Sequence, residues 1–261
     1  MSTSIEWCRN PDGSPGMVWN PVTGCTPAGA GCAHCYAASM ARRFWKGRKF
    51  SDVRCQPERL DLPRYWKKPR MVFVNSMSDL FHEAVPESFI LQVMNIIQQC
   101  SQHTFVVLTK RPERMQGLSC YPPIPNLWLG VSAENQEAWN KCVPTLLATH
   151  AAKLFVSVEP MLGPIQAVYD EGNYVINPFH GTKSRPDWDA TEADNWGKLD
   201  WVICGAESGP GARYMHPTWA RELRDTCRSY DVPFFFKKAS AGESFPDLTA
   251  AREFPKGYLK V

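Results

Sequence analysis

Apolar residues along the chain fall into short runs of strand length, and each run ends in a polar cluster. Residues 71–74 lead into Asn75, Ser76 and Asp79, residues 105–108 into Thr109, Lys110 and Arg111, and residues 127–131 into Ser132 and Glu134. Further on, 154–158 lead into Glu159, 201–204 into Gly205, Glu207 and Ser208, and 233–236 into Lys237 and Lys238. A first run covers 17–22, after an irregular lead-in over 1–16. Strands that are apolar throughout are what a parallel sheet covered by helices requires. Segments 86–101, 134–149 and 217–230 have helical length and period, with Pro86 and Pro217 as first-turn prolines. A further helix is expected over 33–46, followed by a connection broken by Pro57, Pro63 and Pro69. Strands alternating with helices predict a single α/β domain, a TIM-type barrel, complete or partial, with six or seven strands. In such folds the chemistry sits at the C-terminal strand ends, where the polar clusters fall.

Residues 166–199 break the pattern. Tyr169, Asp170, Asn173, His180, Asp187, Asp189, Glu192 and Asp194 make a polar insertion that also holds Trp188 and Trp196. It reads as a lid, a partner surface or a tolerated surface insertion.

Length and composition narrow the class. The chain has 261 residues, of which 44% are hydrophobic and 21% charged, as expected of a soluble globular protein with a sizeable core. No apolar run approaches a membrane span and the first residues lack a basic-then-apolar signal, so a cytoplasmic protein without membrane contact is expected. Ten cysteines without an export signal suggest reduced thiols and a cofactor, not a disulfide framework. Cys8, Cys55, Cys100, Cys120, Cys142, Cys204 and Cys227 are scattered and read as packing residues. The net charge of +3 proves no nucleic-acid partner. Its distribution says more: Arg42, Arg43, Lys46, Arg48 and Lys49 are interleaved with Phe44, Trp45 and Phe50. Cations for phosphates and rings for bases fit a polynucleotide, although a solvated helix end has the same composition.

Cys25, Cys32 and Cys35 lie within eleven residues. A helix starting near Gly31 would aim Cys32 and Cys35 the same way, and Gly24, Pro27 and Gly29 let the preceding loop return Cys25 to them. A helix N-terminus favours thiolates. A closed zinc site needs a fourth ligand, and His34, wedged between two cysteines, points off their face. Three cysteines on a [4Fe–4S] cluster would leave one iron open. Zinc and inert thiols remain the alternatives.

An open iron beside a barrel is what a radical S-adenosylmethionine (SAM) enzyme requires, and the strand ends offer a cleft for SAM. His34 takes the place of an aromatic near the adenine. Asn75, Ser76 and Asp79 are candidates for the methionyl ammonium, Ser132 and Glu134 for the ribose, and Lys110 or Arg111 for the carboxylate. Gly205, Glu207 and Ser208 lie on a glycine-rich loop whose amides can approach the cofactor, though an ordinary tight turn looks the same. Glu159 and Lys237 are charges set on apolar strands, which is costly without a partner. With Lys110 they are candidate catalytic groups. Cys204 is a candidate hydrogen-atom donor or a packed core thiol.

Taken together, the motifs around Trp19–Cys25, Gly31–Ala37, Phe73–Phe81, 108–112, 128–132, Glu159-Pro160, Gly205–Arg213 and 234–237 resemble a family common in phages and mobile elements. That family is similar to radical SAM barrels and distantly to spore photoproduct lyase. The resemblance runs from about residue 5 to 238 and implies a partial (β/α)6-type TIM barrel of the radical SAM kind, a [4Fe–4S] cluster on Cys25, Cys32 and Cys35, and SAM. An electron donor such as flavodoxin or ferredoxin would then be a partner. Two features depart from the pattern: six residues, not three, separate the first two cysteines, and 239–261 lack the expected ending. Some phage relatives are tied to thymine hypermodification in DNA, where a glycyl group on the 5-methylene moves from an N-linked to a C-linked form. The resemblance therefore implies an isomerase on modified thymine in DNA. Photoproduct-lyase-like repair and a zinc-stabilised DNA-binding protein are the alternatives.

Overall fold

The computed structural model describes residues 2–117, 123–172, 174–184, 191–192 and 196–259. Cys120, Asn173, Asp187, Trp188, Asp189 and Asp194 lie outside them. Seven strands form one sheet in chain order: β1 (Met17–Trp19), β2 (Met71–Val74), β3 (Thr104–Thr109), β4 (Leu127–Ser132), β5 (Lys153–Val158), β6 (Leu199–Cys204) and β7 (Phe234–Phe236). Every neighbouring pair is parallel. The sheet curls into a half-barrel with β1 and β7 at its edges, seven strands where a (β/α)6 barrel has six.

Strand sequences that look uniformly apolar separate into two faces. Val72, Val74, Phe105, Val107, Leu154, Val156, Val202 and Phe234 join the cluster under the helices. Their alternating neighbours Phe73, Val106, Trp128, Phe155, Trp201, Ile203 and Phe235 make a second cluster on the concave face. The period of two sets this division. Trp7 from the lead-in plugs the concave cluster, its ring 4.9 Å from Phe73 and 6.1 Å from Trp201. The divergent C-terminal segment closes it from below: Trp201 Nε1 donates to the Glu253 carbonyl at 2.9 Å, and the Tyr258 hydroxyl to the Arg9 carbonyl at 2.8 Å. Gly130 sits on this face because a Cβ there would lie 2.4 Å from the Phe155 ring. Phe155 is fully buried and cannot retreat. Gly130→Ala is expected to destabilise the protein by about 1–3 kcal/mol through overpacking, read as a lower urea midpoint.

Helices α1 (Tyr36–Phe44), α2 (Glu87–Gln99), α3 (Pro112–Gln116), α4 (Gln136–Leu147) and α5 (Pro217–Ser229) fill five of the six crossovers, α1 lying between β1 and β2; α5 joins β6 to β7. Helix α2 buries Phe89, Ile90, Val93, Ile96 and Ile97, a single helical face. Pro217 opens α5, whereas Pro86 is the extended cap residue before α2. Between β5 and β6 an antiparallel sheet replaces the helix, built from Tyr169–Glu171, Tyr174–Asn177, Thr182–Ser184 and Thr191–Glu192. This is the expected polar insertion. Tyr169, Ile176 and Phe179 bury against the helix-side core, and Phe179 stacks on Tyr230 at the end of α5. Its described residues therefore cover the outer face, as the missing helix would, and none forms a lid over the concave mouth. No helix among the described residues is long and apolar enough to cross a membrane.

Candidate active site

Continuing the strand alternation past the C-terminal ends places Asn75, Lys110, Ser132, Ser157, Glu159 and Lys237 above the aromatic floor of the concave face. They line a cavity of about 580 Å³, with Trp7 and Phe73 beneath. Cys25, Cys32 and Cys35 line the same cavity as free, half-buried thiols.

The cysteine loop is fixed from several sides. Gly24 has φ +93°, and a Cβ there would meet the Asp52 carbonyl at 2.4 Å, so only glycine fits. The Cys25 amide donates to the Phe50 carbonyl at 2.9 Å. The expected helix from Gly31 does not form. Ala30–Cys32 is a single 3₁₀ turn, and Cys35 is the extended residue capping α1. The helical backbone is interrupted at Cys35, with φ −58° and ψ 121°, and Glu134 Oε1 pins the turn before it by taking the Gly31 N–H at 2.6 Å. Cys32 and Cys35 thus meet through a turn, not along a helix face. The Ala28 N–H points at Cys32 Sγ (3.5 Å), and Arg111 Nη1 at Cys25 Sγ (3.7 Å). Burial, reinforced by the Asp79 charge and opposed by Arg111, pushes the Cys25 thiol up to about 11. A soft metal would displace that proton, so the donor set suits a thiolate-bound centre. Among the described residues no three His, Cys, Asp or Glu side chains gather tightly enough to hold a single metal ion.

Charged groups brace this wall. Burial penalises the Glu134 carboxylate, but Lys110 Nζ at 2.6 Å and the Gly31 N–H hold it below its ordinary value. Asp79, 5% exposed, accepts from the Thr109 hydroxyl (2.8 Å), the Phe81 and Lys110 amides (3.0 Å each) and Arg111 Nη1 (3.3 Å). Its carboxylate is taken up inside the protein, which makes it a brace and not a free acceptor for a ligand ammonium. Asn75 has φ +63°. Its Oδ1 accepts from the Val22 amide at 3.1 Å, and its Nδ2 is buried with no partner among the described residues. The Ser76 carbonyl accepts from the Tyr36 hydroxyl. Ser132 is buried on the cavity wall, and Glu159 pairs with Lys237.

The glycine-rich loop meets the cysteine loop through Glu207. It accepts from Arg213 Nε and the Arg213 amide at 2.9 and 2.8 Å and lies 2.8 Å from His34 Nδ1. Arg213 chiefly, with His34, holds Glu207 near 2, well below its ordinary 4.5. His34 is therefore a tether between loops. Ser208 lines the cavity, and Gly205 lies just behind it, where a Cβ would come 3.2 Å from Lys237 Cβ. Because the folded value is depressed, Glu207 stabilises the fold above pH 4.5, and that contribution is lost as pH falls toward 2. Glu207→Gln is expected to lower stability by about 2 kcal/mol at pH 7 and to converge on the parent near pH 2. Urea midpoints across that range check this.

Two further expectations change. Cys204 is fully buried, its sulfur 3.6 Å from Met161 Sδ, and does not line the cavity. It is a core thiol, not a placed hydrogen-atom donor. Arg48 does not face solvent as a phosphate contact: it donates to Thr23 Oγ1 and the Thr23 carbonyl at 3.0 and 3.1 Å and stacks on Trp45. Arg42, Arg43, Lys46 and Lys49 are exposed as expected. Beside them Tyr36, Met40 and Phe44, one turn apart along α1, are 50%, 44% and 57% exposed. Ser157 and Arg213 are site residues that the polar clusters at the strand ends do not include. Ser157 carried a signal, a lone hydroxyl two residues before Glu159 on the same face. Lys238 also lines the cavity, where burial, aided by Lys237, lowers its pKa.

A family model matches residues 2–252, and its description is a protein of unknown function, DUF5131. No curated protein and no solved structure matches the chain.

Proposed function

The chain belongs to the DUF5131 family, and we propose that it is a radical SAM enzyme acting on a nucleic acid base. One observation carries this reading: three cysteine thiols open on the same cavity as the polar ends of a half-barrel of parallel strands. Cys25, Cys32 and Cys35 would hold a [4Fe–4S] cluster, whose span asks for sulfurs farther apart than the ligands of one ion. When bound with SAM, that cluster supplies a 5′-deoxyadenosyl radical able to abstract a hydrogen atom. The chain's own residues hold and shield the reactants. Lys237, Glu159, Ser132 and Ser157 offer polar contacts, Asn75 Nδ2 an unused donor, and the aromatic floor excludes water from below. The exposed rings and cations of α1 begin at Tyr36, which also lines the cavity, so a polynucleotide laid on α1 reaches the mouth. The substrate we favour is an amino-acid-substituted thymine in DNA, isomerised from an N-linked to a C-linked glycyl group. A flavodoxin or ferredoxin in the cytoplasm would supply the electron. Return of a hydrogen atom by Cys204, as photoproduct-lyase chemistry would ask, gains nothing from its buried position.

The test is anaerobic reconstitution with iron and sulfide, reduction with SAM, and chromatography for 5′-deoxyadenosine. Brown protein that releases the nucleoside supports the reading. Colourless protein that retains zinc and leaves SAM intact refutes it.

A further inference from the structure

Arg111 carries a positive charge into the cavity wall, where it is only 7% exposed. Its planar fork is engaged on every side. Nε donates to Glu83 Oε1 at 2.8 Å, and Nη2 to the carbonyl and hydroxyl of Thr26 at 3.0 and 3.2 Å. Nη1 lies 3.3 Å from Asp79 Oδ2 and 3.7 Å from Cys25 Sγ. Thr26 follows Cys25 directly, so the fork grips the loop that carries this thiol. His82 holds the same residue: its Nδ1 accepts from the Ala84 amide at 3.1 Å, leaving Nε2–H to meet Thr26 Oγ1 at 2.8 Å.

Resting on the cluster reading above, we infer that Arg111 is a positioning residue for the metal centre, bonding the Cys25 sulfur and favouring the centre's reduced, more negative state. A buried cation beside a ligand sulfur attracts the added electron through a poorly screened medium. The Asp79 charge acts on the same thiol with opposite sign, whereas Glu83 is exposed and its charge is screened. Arg111 is thus the counterweight to Asp79, and without it the Asp79 charge acts on Cys25 alone.

The experiment is an EPR-monitored potentiometric titration of reconstituted protein with dithionite, with iron counted per chain. Arg111→Gln is expected to weaken reduction about tenfold, a fall of about 59 mV for one electron. Arg111→Lys, which keeps the charge, is expected to recover more than half of that shift. An unchanged potential in Arg111→Gln at equal iron content overturns the inference and leaves the cluster reading standing. Parent protein that binds no iron overturns both. Should Arg111→Gln not fold, Asp79→Asn carries the test with opposite sign: a raised potential supports the inference and an unchanged one overturns it.

Discussion

Cys32→Ala should leave the fold intact and abolish 5′-deoxyadenosine formation. Cys32 sits on a 3₁₀ turn without a buried residue, so its removal opens no core cavity. The loss should be at least a hundredfold, because two thiolates do not retain a cluster that three hold. Cys204→Ala is the matched control. Its sulfur lies in the core against Met161, so it should cost about 1–2 kcal/mol of stability and leave SAM cleavage in place. The pair of variants separates the two classes of cysteine. Equal nucleoside yields from Cys32→Ala and the parent would show that this thiol is no ligand.

The largest expected stability change is at Asp79. Replacing it with alanine strands the Phe81 and Lys110 amides and the Thr109 hydroxyl, and leaves the buried Arg111, among the described residues, with only the exposed Glu83 as a carboxylate partner. Breaking a buried pair from one side costs about 3–5 kcal/mol, so Asp79→Ala is expected to lose at least that much in urea unfolding. Asp79→Asn keeps the shape and an acceptor and should lose less. A loss below about 0.5 kcal/mol for the alanine variant, the range of ordinary surface changes, would mean that this network does not hold the wall together.

These predictions also mark what the sequence made legible. The seven strands could be read from their apolar runs, and the polar residues after them mark the C-terminal mouth because a strand's side chains keep their alternation past its end. Ser157 belongs to the same pattern but lies inside a run, not after it, which hides it among apolar neighbours. The cysteine turn was illegible for a different reason. Local spacing favours a helix from Gly31, but the backbone leaves the helical region at Cys35, and the turn before it is pinned by Glu134, 103 positions along the chain. Long-range bonds likewise turned Arg48 from a surface cation into a brace, and a cysteine at a strand end proved to face the helices because of which side the alternation gave it. The insertion over 166–199 was recognisable as a departure. That it replaces a crossover helix depends on Tyr169, Ile176 and Phe179 being buried, which its polar composition obscures.

The central claim is that Cys25, Cys32 and Cys35 hold one centre with an open iron. Its most direct measurement is EPR of the reduced, reconstituted protein before and after SAM is added, with iron and sulfide counted. The account predicts about four of each per chain, as a [4Fe–4S] cluster requires, and a cluster signal that changes on adding SAM. Iron-free protein, or a signal indifferent to SAM, would contradict it.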